Sequence, residues 1–572
     1  MSENKVTVLG KNAEERLEIL RDEKGNILLT DDQKRAVLER GRILVSASAG
    51  SGKTSTMVKR IIVMISEGTT LKNLLVLVYN NAAADELKEK LHQELFKAAC
   101  ASSGEKRDRF RQEIDELPFC HICTIHAFCQ SLIRENFDKL GISPTFDVLD
   151  ETRHASYMNR ALDDVIATYT ASGDETFCEL ADIFSQSRKE ENLKSNLIKF
   201  YGLIEIQPDE EEFERCVSEC YDSYENSKFF AILQDYYKTF FANAKNALLP
   251  IKTQLEVLAP TSKYLQSLAV AICFCDELES KSRLFDMCTL ASKYEKPRAT
   301  VSPKASEEEK LLVGYVKDYL KQFHDAIDEM KEICNRQDSL ESAHEQNAKY
   351  VKKLVEVAQT FAKKLEELKQ ADNVLSFEDL QHKALELLSH DEYELSGDFD
   401  AVFVDEYQDV NPTQEAIIRK LVKGECFMVG DVKQSIYGFR LADPAIFISR
   451  QNAYEESVKE GTNVYFNRNF RSAYGILDFV NGVFDSAMTK ASADVDYKKD
   501  ARFELKDVAP VKLEGVSPEG YVQVHLFVKQ KSESVPSFGL YDIEKDEGEE
   551  DDEASSQEGN FIASEIQKLV GR

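Results

Sequence analysis

The residues with the clearest chemical potential form the run Ser46–Thr54, SASAGSGKT in one-letter code, directly after the apolar segment Ile43–Val45. This pattern predicts a buried strand, a tight glycine loop and a helix that opens at Lys53. Backbone N–H groups in such a loop and at the helix N-terminus converge on one position and favour an anion there. Lys53 would then reach the β- and γ-phosphates of a nucleotide, and the Thr54 hydroxyl would ligate Mg²⁺. The strict motif begins with glycine, whereas position 47 is alanine.

Two further apolar runs end in polar residues. Asp405 and Glu406 follow the run 401–404, and Gln434 stands shortly after the run 426–429. Ligands bind at the carboxyl ends of strands in open α/β sheets. We therefore expect Asp405 to hold Mg²⁺ through water and Glu406 to orient or deprotonate the attacking water. Gln434 is expected to hydrogen-bond the γ-phosphate.

Arg471 lies in a later segment and is a candidate arginine finger, which would supply positive charge when two lobes close. Taken singly, Arg471 is as well explained by a surface ion pair, and the acids at 405 and 406 by a solvated loop. Their order in the chain and their positions near strand ends favour the shared role. We expect Arg471 to face, across a cleft, a group of residues that folding gathers around one triphosphate, namely 53, 54, 405, 406 and 434.

Strands alternate with helices around these motifs, which predicts a doubly wound parallel α/β sheet. From 140 to 395 glycine is sparse and segments with 3.6-residue periodicity dominate, which predicts a helical insertion. Tyr521–Phe527 is predicted as a strand of a second unit. The predicted domains are a first lobe in two parts, 1–139 and 396–460, the helical insertion 140–395, and an incomplete second lobe 461–572.

Composition limits the classes of partner and compartment. The net charge of −30 excludes a broad basic face, so any DNA contact must be a narrow groove. Part of this charge lies in the run 542–553, which has nine acids and one lysine and is typical of a solvated loop. No apolar run approaches the roughly 20 residues that span a bilayer. The N-terminus has no apolar signal region, so we expect a cytoplasmic protein without a membrane partner.

The twelve cysteines are scattered, which argues against a disulfide framework. Cys120 and Cys123 have metal-ligand spacing, but no second such pair follows. We interpret them as part of a core strand, where reduced cysteine packs as a small hydrophobe.

Four segments carry a family resemblance, namely AxAGSGKT at 47–54, VDEYQD at 404–409, VGDxxQSIYxFR at 429–440 and NFRS at 469–472. They resemble the motifs of superfamily 1 UvrD/Rep-type DNA helicases, in which alanine is usual at the position of Ala47. The sequence of 430–444 and the late position of the acidic pair in the chain are most similar to those of the AddA subunit of bacterial helicase–nucleases. The resemblance implies a RecA-like P-loop NTPase fold with a large all-helical insertion and the start of a second RecA-like lobe.

The same resemblance implies ATP and Mg²⁺ as cofactors. Gln33 would read the adenine, and Phe470 would stack on it. The loop residues that would surround the phosphates are Ala47, Ser48, Ala49, Gly50, Ser51, Gly52, Lys53, Thr54 and Ser55.

For DNA, the resemblance implies a single-strand track on which bases stack on aromatic side chains. Tyr79 and Phe439 would be the stacking residues, although a buried strand-end aromatic is an alternative for Tyr79. Other residues that match DNA-side motifs of the family are Asn80, Thr124 and His126. Phe128 belongs to the same motif, but a core role is equally expected.

The function implied by the resemblance is that of an ATP-dependent 3′→5′ DNA helicase. It would process double-strand DNA ends for recombinational repair, together with an AddB-like subunit. Later motifs and a nuclease domain of the family have no counterpart before Arg572, so the chain is expected to be an N-terminal part that binds ATP but hydrolyses it poorly. The alternatives are a stand-alone UvrD-like repair helicase and a nucleotide-regulated DNA-binding scaffold without motor activity.

Overall fold

The computed structural model describes residues 13–22, 24–185, 190–224, 227–303, 305–390, 399–457, 459–489 and 495–505, together with 559, 561–564, 566 and 567. The strand predicted at Tyr521–Phe527 and the acidic run 542–553 lie outside the described residues. The described residues form two compact units. The first comes from the ranges Met1–Ser46 and Thr54–Val464, and the second from Ala47–Lys53 and Tyr465–Arg572.

Within the described residues, six strands form one sheet in the order β3-β2-β6-β7-β1-β8, and two short strands, β4 and β5, pair separately. The strands are β1 (Arg42–Ala47), β2 (Leu74–Val78), β3 (His121–Thr124), β4 (Asp147–Val148), β5 (Val374–Leu375), β6 (Ala401–Val404), β7 (Glu425–Gly430) and β8 (Thr462–Phe466). The neighbouring pairs from β3 through β1 are parallel. The predicted doubly wound α/β class is confirmed.

Helices connect these strands and fill the long segment between β4 and β5. They are α1 (Ala13–Leu17), α2 (Asp31–Leu38), α3 (Lys53–Ser66), α4 (Asn81–Ala101), α5 (Glu105–Glu116), α6 (Ile125–Glu135), α7 (Glu151–Ser172), α8 (Glu175–Ser185), α9 (Glu190–Glu205), α10 (Glu210–Glu219), α11 (Lys228–Leu258), α12 (Tyr264–Glu279), α13 (Leu284–Ser292), α14 (Glu307–Asn335), α15 (Gln337–Ala371), α16 (Phe377–Ser389), α17 (Pro412–Leu421), α18 (Pro444–Glu456) and α19 (Tyr474–Ala487).

Strands β2 and β6 consist entirely of buried apolar residues. This composition suits central parallel strands, which are covered on both faces. Residues of α6, α16, α17 and α18 pack with β2, β6 and β7 in one apolar core. Helix α16 thus packs with the sheet, although it lies within the range 140–395 predicted as the insertion.

The segment between β4 and β5 is helical, as its periodicity predicts. An apolar seam with this periodicity, 351–368, lies on α15, and Phe361 and Leu365 are fully buried there among residues of α7, α8 and α9. A second apolar core joins α11 to α14 and is rich in aromatic rings. Each core buries apolar side chains that its helices could not cover alone.

Strand β8 differs from the sequence prediction. Its residues are expected to begin a second lobe, but β8 instead lies at the edge of the first sheet, beside β1. Val464 and Phe466 are buried while their neighbours are partly exposed, which is the alternation of an edge strand with one covered face. The domain boundaries at 139, 395 and 460 remain predictions. In the part of the chain that the structure describes, no helix combines the length and apolar character that crossing a bilayer requires.

Candidate nucleotide and DNA site

The glycine loop connects β1 to α3, as predicted: β1 ends at Ala47 and α3 begins at Lys53. Gly50 and Gly52 have φ values of 69° and 87°, a left-handed region that strains residues with a Cβ. Lys53 and Thr54 occupy the first turn of α3, where backbone N–H groups have no acceptor within the helix. The loop and this first turn therefore fit a phosphate group by their backbone chemistry.

A buried arginine anchors the helix that follows the loop. Arg60 of α3 donates hydrogen bonds to the carbonyl oxygens of Ala36 at 2.7 Å and Glu39 at 2.6 Å, and to a Glu425 carboxylate oxygen at 3.0 Å. Burial lowers the pKa of Arg60 to about 10, and the charge remains because Glu425 opposes that shift. Arg60 thereby ties α3 to the end of α2 and to the start of β7.

Within the second unit, the Asn469 side chain is hydrogen-bonded to the glycine loop. Its Nδ2 donates to the carbonyl oxygen of Ala49 at 2.6 Å, and its Oδ1 accepts from the backbone N–H of Arg471 at 2.8 Å. A Cβ at Gly50 would lie 2.7 Å from the Cβ of Arg471, so only glycine allows this approach. The predicted arginine finger therefore belongs to a segment whose backbone already contacts the loop.

Phe470 is predicted to stack on adenine. Its backbone N–H donates to the carbonyl oxygen of Gly50 at 2.8 Å, and its ring is 58% exposed. The guanidinium of Arg468 lies 5.4 Å from the ring centroid. The ring is thus accessible for stacking.

The acidic pair lies at the end of β6. The backbone N–H of Asp405 donates to the Leu77 carbonyl oxygen at 2.9 Å, which extends the pairing with β2 by one residue. Glu406 adopts φ 49° and ψ 46°, a left-handed conformation that is uncommon for a residue with a side chain. Such strain at a non-glycine residue is often found at functional sites.

Gln408 joins the ends of β6 and β7. Its Nε2 donates to Glu406 Oε2 at 3.0 Å and to Asp409 Oδ2 at 2.9 Å, and its Oε1 accepts from the backbone N–H of Asp431 at 2.8 Å. Gln408 is almost completely buried. A Cβ at Gly430 would lie 2.5 Å from this Oε1, so the contact requires glycine there.

Asp431 continues this network from β7. Its Oδ2 accepts from Gln434 Nε2 at 2.7 Å, and its Oδ1 accepts from Lys433 Nζ at 2.6 Å. Three of the predicted residues are therefore brought together in the first unit: Asp405, Glu406 and Gln434. Hydrogen bonds through Gln408 and Asp431 link the last two.

The residue before Gln408, Tyr407, takes part in a buried group of hydrogen bonds. Tyr407 donates a 2.6 Å hydrogen bond to Glu415, and the same carboxylate accepts from Arg419 at 2.6 Å and from Arg450. Burial and the neighbouring Glu415 carboxylate raise the pKa of Tyr407, so its hydroxyl stays a donor. This packing fixes the turn that presents Glu406.

Gln33, the predicted adenine reader, lies in the first turn of α2. Thr30 caps that helix, and Gln33 completes the capping box because its Oε1 accepts from the Thr30 backbone N–H at 3.0 Å. Adenine recognition by Gln33 remains a prediction.

The two predicted stacking residues belong to one aromatic group. The ring centroids of Tyr79 and Tyr437 are 4.7 Å apart, and those of Tyr437 and Phe439 are 5.7 Å apart. Phe439 is 77% exposed. Arg440 donates to the Tyr79 hydroxyl at 3.1 Å, and its guanidinium lies 5.9 Å from the ring centroids of both Tyr437 and Phe439.

The other predicted DNA residues have local structural contacts. Asn80 caps α4 by accepting from Ala83 at 2.8 Å, and Thr124 caps α6 by accepting from Ala127 at 3.2 Å. His126 is hydrogen-bonded to Gln381, and burial lowers its pKa, which favours the neutral imidazole. Their contact with DNA remains a prediction. Phe128 is a core residue, one of the two roles expected for it.

Sequence analysis did not single out Gln408, Asp431, Tyr437 and Asn469 as site residues. All four lie inside the quoted motifs, so their positions were visible in the sequence. Their roles depend on partners from other segments, which the sequence alone does not identify.

A pocket of about 450 Å³ lies within the first unit. Tyr79, Glu406 and Phe439 line it, together with His154 and Glu205 from the helical segment. Burial first, and then the neighbouring Glu378 carboxylate, raises the pKa of Glu205. The pocket therefore joins the strand ends and aromatic group to part of the insertion.

Cys120 and Cys123 are free thiols, of which Cys123 lies in β3 and Cys120 directly before it. Burial raises the pKa of Cys123 to about 11, so its thiol is protonated at neutral pH. Cys123 packs against the sheet core, in agreement with the predicted role.

A parallel sheet with a glycine phosphate loop after one strand and polar segments after two others defines a RecA-type P-loop NTPase. The chain also matches the family described as the UvrD/REP helicase N-terminal domain over residues 29–249 and 261–455. It belongs to that family.

Three relatives illustrate the similarity, each described as an ATP-dependent helicase/nuclease subunit of the A type. The protein of Enterococcus faecalis (strain ATCC 700802 / V583) is 30% identical over 83% of this chain and 40% of its own length. That of Bacillus velezensis (strain DSM 23117 / BGSC 10A6 / LMG 26770 / FZB42) is 30% identical over 95% of this chain and 45% of its own. That of Clostridium beijerinckii (strain ATCC 51743 / NCIMB 8052) is 27% identical, with 96% and 46% covered. The chain thus spans less than half the length of these relatives.

Proposed function

We propose that this chain is the ATP-dependent motor part of an AddA-like helicase–nuclease. In this proposal the whole protein moves 3′→5′ along single-stranded DNA and processes duplex ends for recombinational repair in the cytoplasm. Membership of the UvrD/REP family and the similarity to helicase/nuclease subunits support the class. The finer points, namely polarity, the DNA ends and the compartment, are inferred from the resemblance of the motifs.

The observation that carries the proposal is the hydrogen-bonded link between the ends of β6 and β7. Gln408 and Asp431 connect Glu406 to Gln434. A group that activates water and a group that detects the γ-phosphate must respond to one another if hydrolysis is to drive movement. The link gives the protein a direct physical route for that response.

Each predicted residue then has one role in our proposal. Lys53 binds the β- and γ-phosphates, Glu406 orients or deprotonates the attacking water, and Arg471 stabilises charge that develops on the transferred phosphoryl group. Phe470 stacks on the adenine and Gln33 recognises its edge. Ala47 to Ser55 surround the phosphates with backbone N–H groups.

Thr54 and Asp405 are the residues that we propose to hold Mg²⁺. A hydroxyl and a carboxylate are hard oxygen donors, which suit this ion. When bound, Mg²⁺ supplies charge neutralisation to the phosphate oxygens. The hydrogen bond from the Asp405 backbone to Leu77 supports this role, because it fixes the backbone at the end of β6.

We propose that Tyr79, Tyr437 and Phe439 form the single-strand track. Base stacking on aromatic rings is worth about 1–3 kcal/mol per base and tolerates any sequence. Asn80, Thr124 and His126 would act from the flank of this track. An AddB-like subunit is the proposed partner of the whole protein.

The test uses the full-length protein, because translocation and end processing are proposed for the whole protein. We expect Lys53→Ala to abolish DNA-stimulated phosphate release, and a matched exposed change, Lys90→Ala on α4, to leave it intact. Translocation is measured on single strands that carry a fluorophore at either end. A protein that moves 3′→5′ arrives at the 5′ end. An earlier signal from the 5′-labelled strand than from the 3′-labelled strand therefore supports this polarity, and the reverse order contradicts it.

Two results would overturn the motor proposal. One is undiminished duplex-end processing by Lys53→Ala, which would favour a nucleotide-regulated scaffold. The other is phosphate release that is indifferent to single-stranded DNA, since a translocase couples the two events.

A further inference from the structure

Three ionisable side chains outside the strand-end network meet in the pocket: His154, Glu205 and Glu378. Each offers one ligand atom, and the three atoms lie within 4.8 Å of one another. The residues come from the first turn of α7, the last residue of α9 and the first turn of α16. No motif in the sequence connects these positions.

The two most enclosed members lack the partners that buried polar atoms require. Glu205 is only 7% exposed, and among the described residues its Oε1 has no hydrogen-bond partner. The Nε2 of His154 is likewise buried without a partner in the described part of the chain. The backbone of Glu205 is secured, since its carbonyl oxygen accepts from His382 at 2.7 Å. The unsatisfied atoms therefore belong to a fixed position and carry a large desolvation cost.

The charges nearby do not remove this cost. The buried Lys369, whose charge acts on Glu205, is already paired with Asp379 at 2.7 Å and Glu366 at 3.7 Å. Glu205 also stands at the C-terminal end of α9, where the helix dipole disfavours an anion. The set offers one imidazole and two carboxylate groups, and a divalent cation would neutralise both carboxylates in their ionised form.

We propose that His154, Glu205 and Glu378 bind a divalent transition-metal ion, with the remaining coordination positions open to the pocket. Imidazole nitrogen and carboxylate oxygen together suit ions such as Mn²⁺ and Zn²⁺, and a three-residue set leaves room for water. Ligand atoms around such an ion are about 3 to 4 Å apart, since each bond is about 2.1 Å long. A small rotation of the partly exposed Glu378 side chain closes the remaining gap.

This ion would connect three helices that are far apart in the sequence. All three helices lie in the predicted insertion 140–395, but α7 and α9 pack with α15, whereas α16 packs with the sheet. A bound ion would therefore link these three helices at the wall of the pocket. The site lies outside the proposed nucleotide residues and does not rest on their function.

Mn²⁺ is the probe, because it favours oxygen and nitrogen ligands and avoids competition from the twelve cysteines. Binding is measured by electron paramagnetic resonance on the full-length protein without nucleotide or DNA. We expect Glu205→Gln and His154→Gln each to weaken one bound equivalent by at least about tenfold. Glu378→Gln, at a partly exposed position, gives the same result if a more buried variant fails to fold.

Two controls define the position of the ion. Glu151→Gln removes a carboxylate that lines the same pocket but is outside the cluster, and should leave binding unchanged. Asp405→Asn removes the proposed nucleotide-linked metal ligand and should also retain the equivalent. The melting temperature should rise with Mn²⁺ in the unmodified protein and not in Glu205→Gln.

Absence of bound Mn²⁺ in the unmodified protein overturns the proposal. So does equal binding by the protein and its Glu205→Gln variant, or loss of the equivalent in Asp405→Asn alone. That last result would place the ion at the strand ends. None of these results bears on ATP hydrolysis, which is measured separately.

Discussion

The strand ends of β6 and β7 and the helical core of α11 to α14 are held together by different forces. At the strand ends, buried Gln408 and Asp431 make hydrogen bonds of 2.7–3.0 Å to named partners. In the helical core, Phe241 packs with its ring centroid 5.3 Å from that of Phe274 and 5.2 Å from that of Phe323. Hydrogen bonds are directional, so they fix individual atoms, whereas apolar burial depends mainly on volume.

This difference teaches where the chain can tolerate change. A volume-conserving apolar substitution in the helical core should cost little, because several side chains can fill the same space. A change at the strand ends removes a bond that no neighbour can replace. We therefore expect substitutions at the strand ends to affect catalysis most. Substitutions that empty volume in the helical core should affect stability most.

The largest effect should come from Glu406→Gln. The amide cannot accept a proton from water, so ATP hydrolysis should fall by about 10²–10⁴-fold, while nucleotide binding is retained. Phosphate release and binding of a fluorescent ATP analogue measure the two properties. The matched change Glu386→Gln, at an exposed position on α16, should have no effect. Equal loss of binding and hydrolysis in Glu406→Gln would contradict the assigned role.

Phe241→Ala should have the next largest effect, on stability. It empties a fully buried site among aromatic rings, so the free energy of unfolding should fall by about 3–5 kcal/mol. Urea denaturation followed by circular dichroism measures this, and Phe241→Leu should recover much of the loss. The comparison fails if Phe241→Ala reduces nucleotide binding as strongly as it reduces stability.

Gln408→Leu tests directional bonding directly. It removes the acceptor of the Asp431 backbone N–H and one donor to each of two carboxylates, so it should cost about 1–3 kcal/mol and also slow hydrolysis. Gln370→Leu on α15 removes an exposed 2.8 Å hydrogen bond to Glu366 and should stay within about 0.5 kcal/mol. Similar costs for the two glutamines would show that the strand ends are not specially constrained.

The smallest effect should be the pH response of the helical core. Burial, and then the Lys296 charge, lowers the pKa of His324 to about 4, and its Nε2 lies 3.2 Å from the Tyr294 hydroxyl. Because this pKa is below the unfolded value of about 6.5, the stabilisation is present above pH 6.5 and is lost as the pH falls towards 4. These two pKa values correspond to about 2 kcal/mol between pH 7 and pH 5, and solvent screening should reduce the measured loss of stability to about 1 kcal/mol.

His324→Gln provides the control for that pH response. Glutamine can still hydrogen-bond Tyr294 but does not titrate, so the slope between pH 7 and pH 5 should become shallower. An unchanged slope would contradict a contribution of His324 to this pH response.

Much of the nucleotide side was predictable, because its signals are local. A glycine loop between an apolar strand and a helix can be recognised in nine consecutive residues, and the structure has β1, the loop and α3 in that order. Thr30 and the periodic seam on α15 were also predictable, since caps and helical spacing depend on near neighbours.

Strand β8 shows the limit of prediction from local sequence signals. Its alternation indicates a strand, but nothing local says which sheet it joins, and it lies beside β1 rather than in a new lobe. Thr124 and Asn80 were singled out for DNA, whereas their observed hydrogen bonds cap helices. A polar side chain near a strand end can serve both purposes, so contact of these two residues with DNA remains a prediction.

By itself the sequence determined the class of chemistry: a phosphate loop and an acidic pair, each encoded in a short run. The tertiary structure decided which residues work together. Gln408 and Asp431 join two strand ends, and His154, Glu205 and Glu378 meet from three separate helices. The physical reason is that short motifs fix backbone geometry, while hydrogen bonds and charge balance between distant segments exist only once the chain has folded.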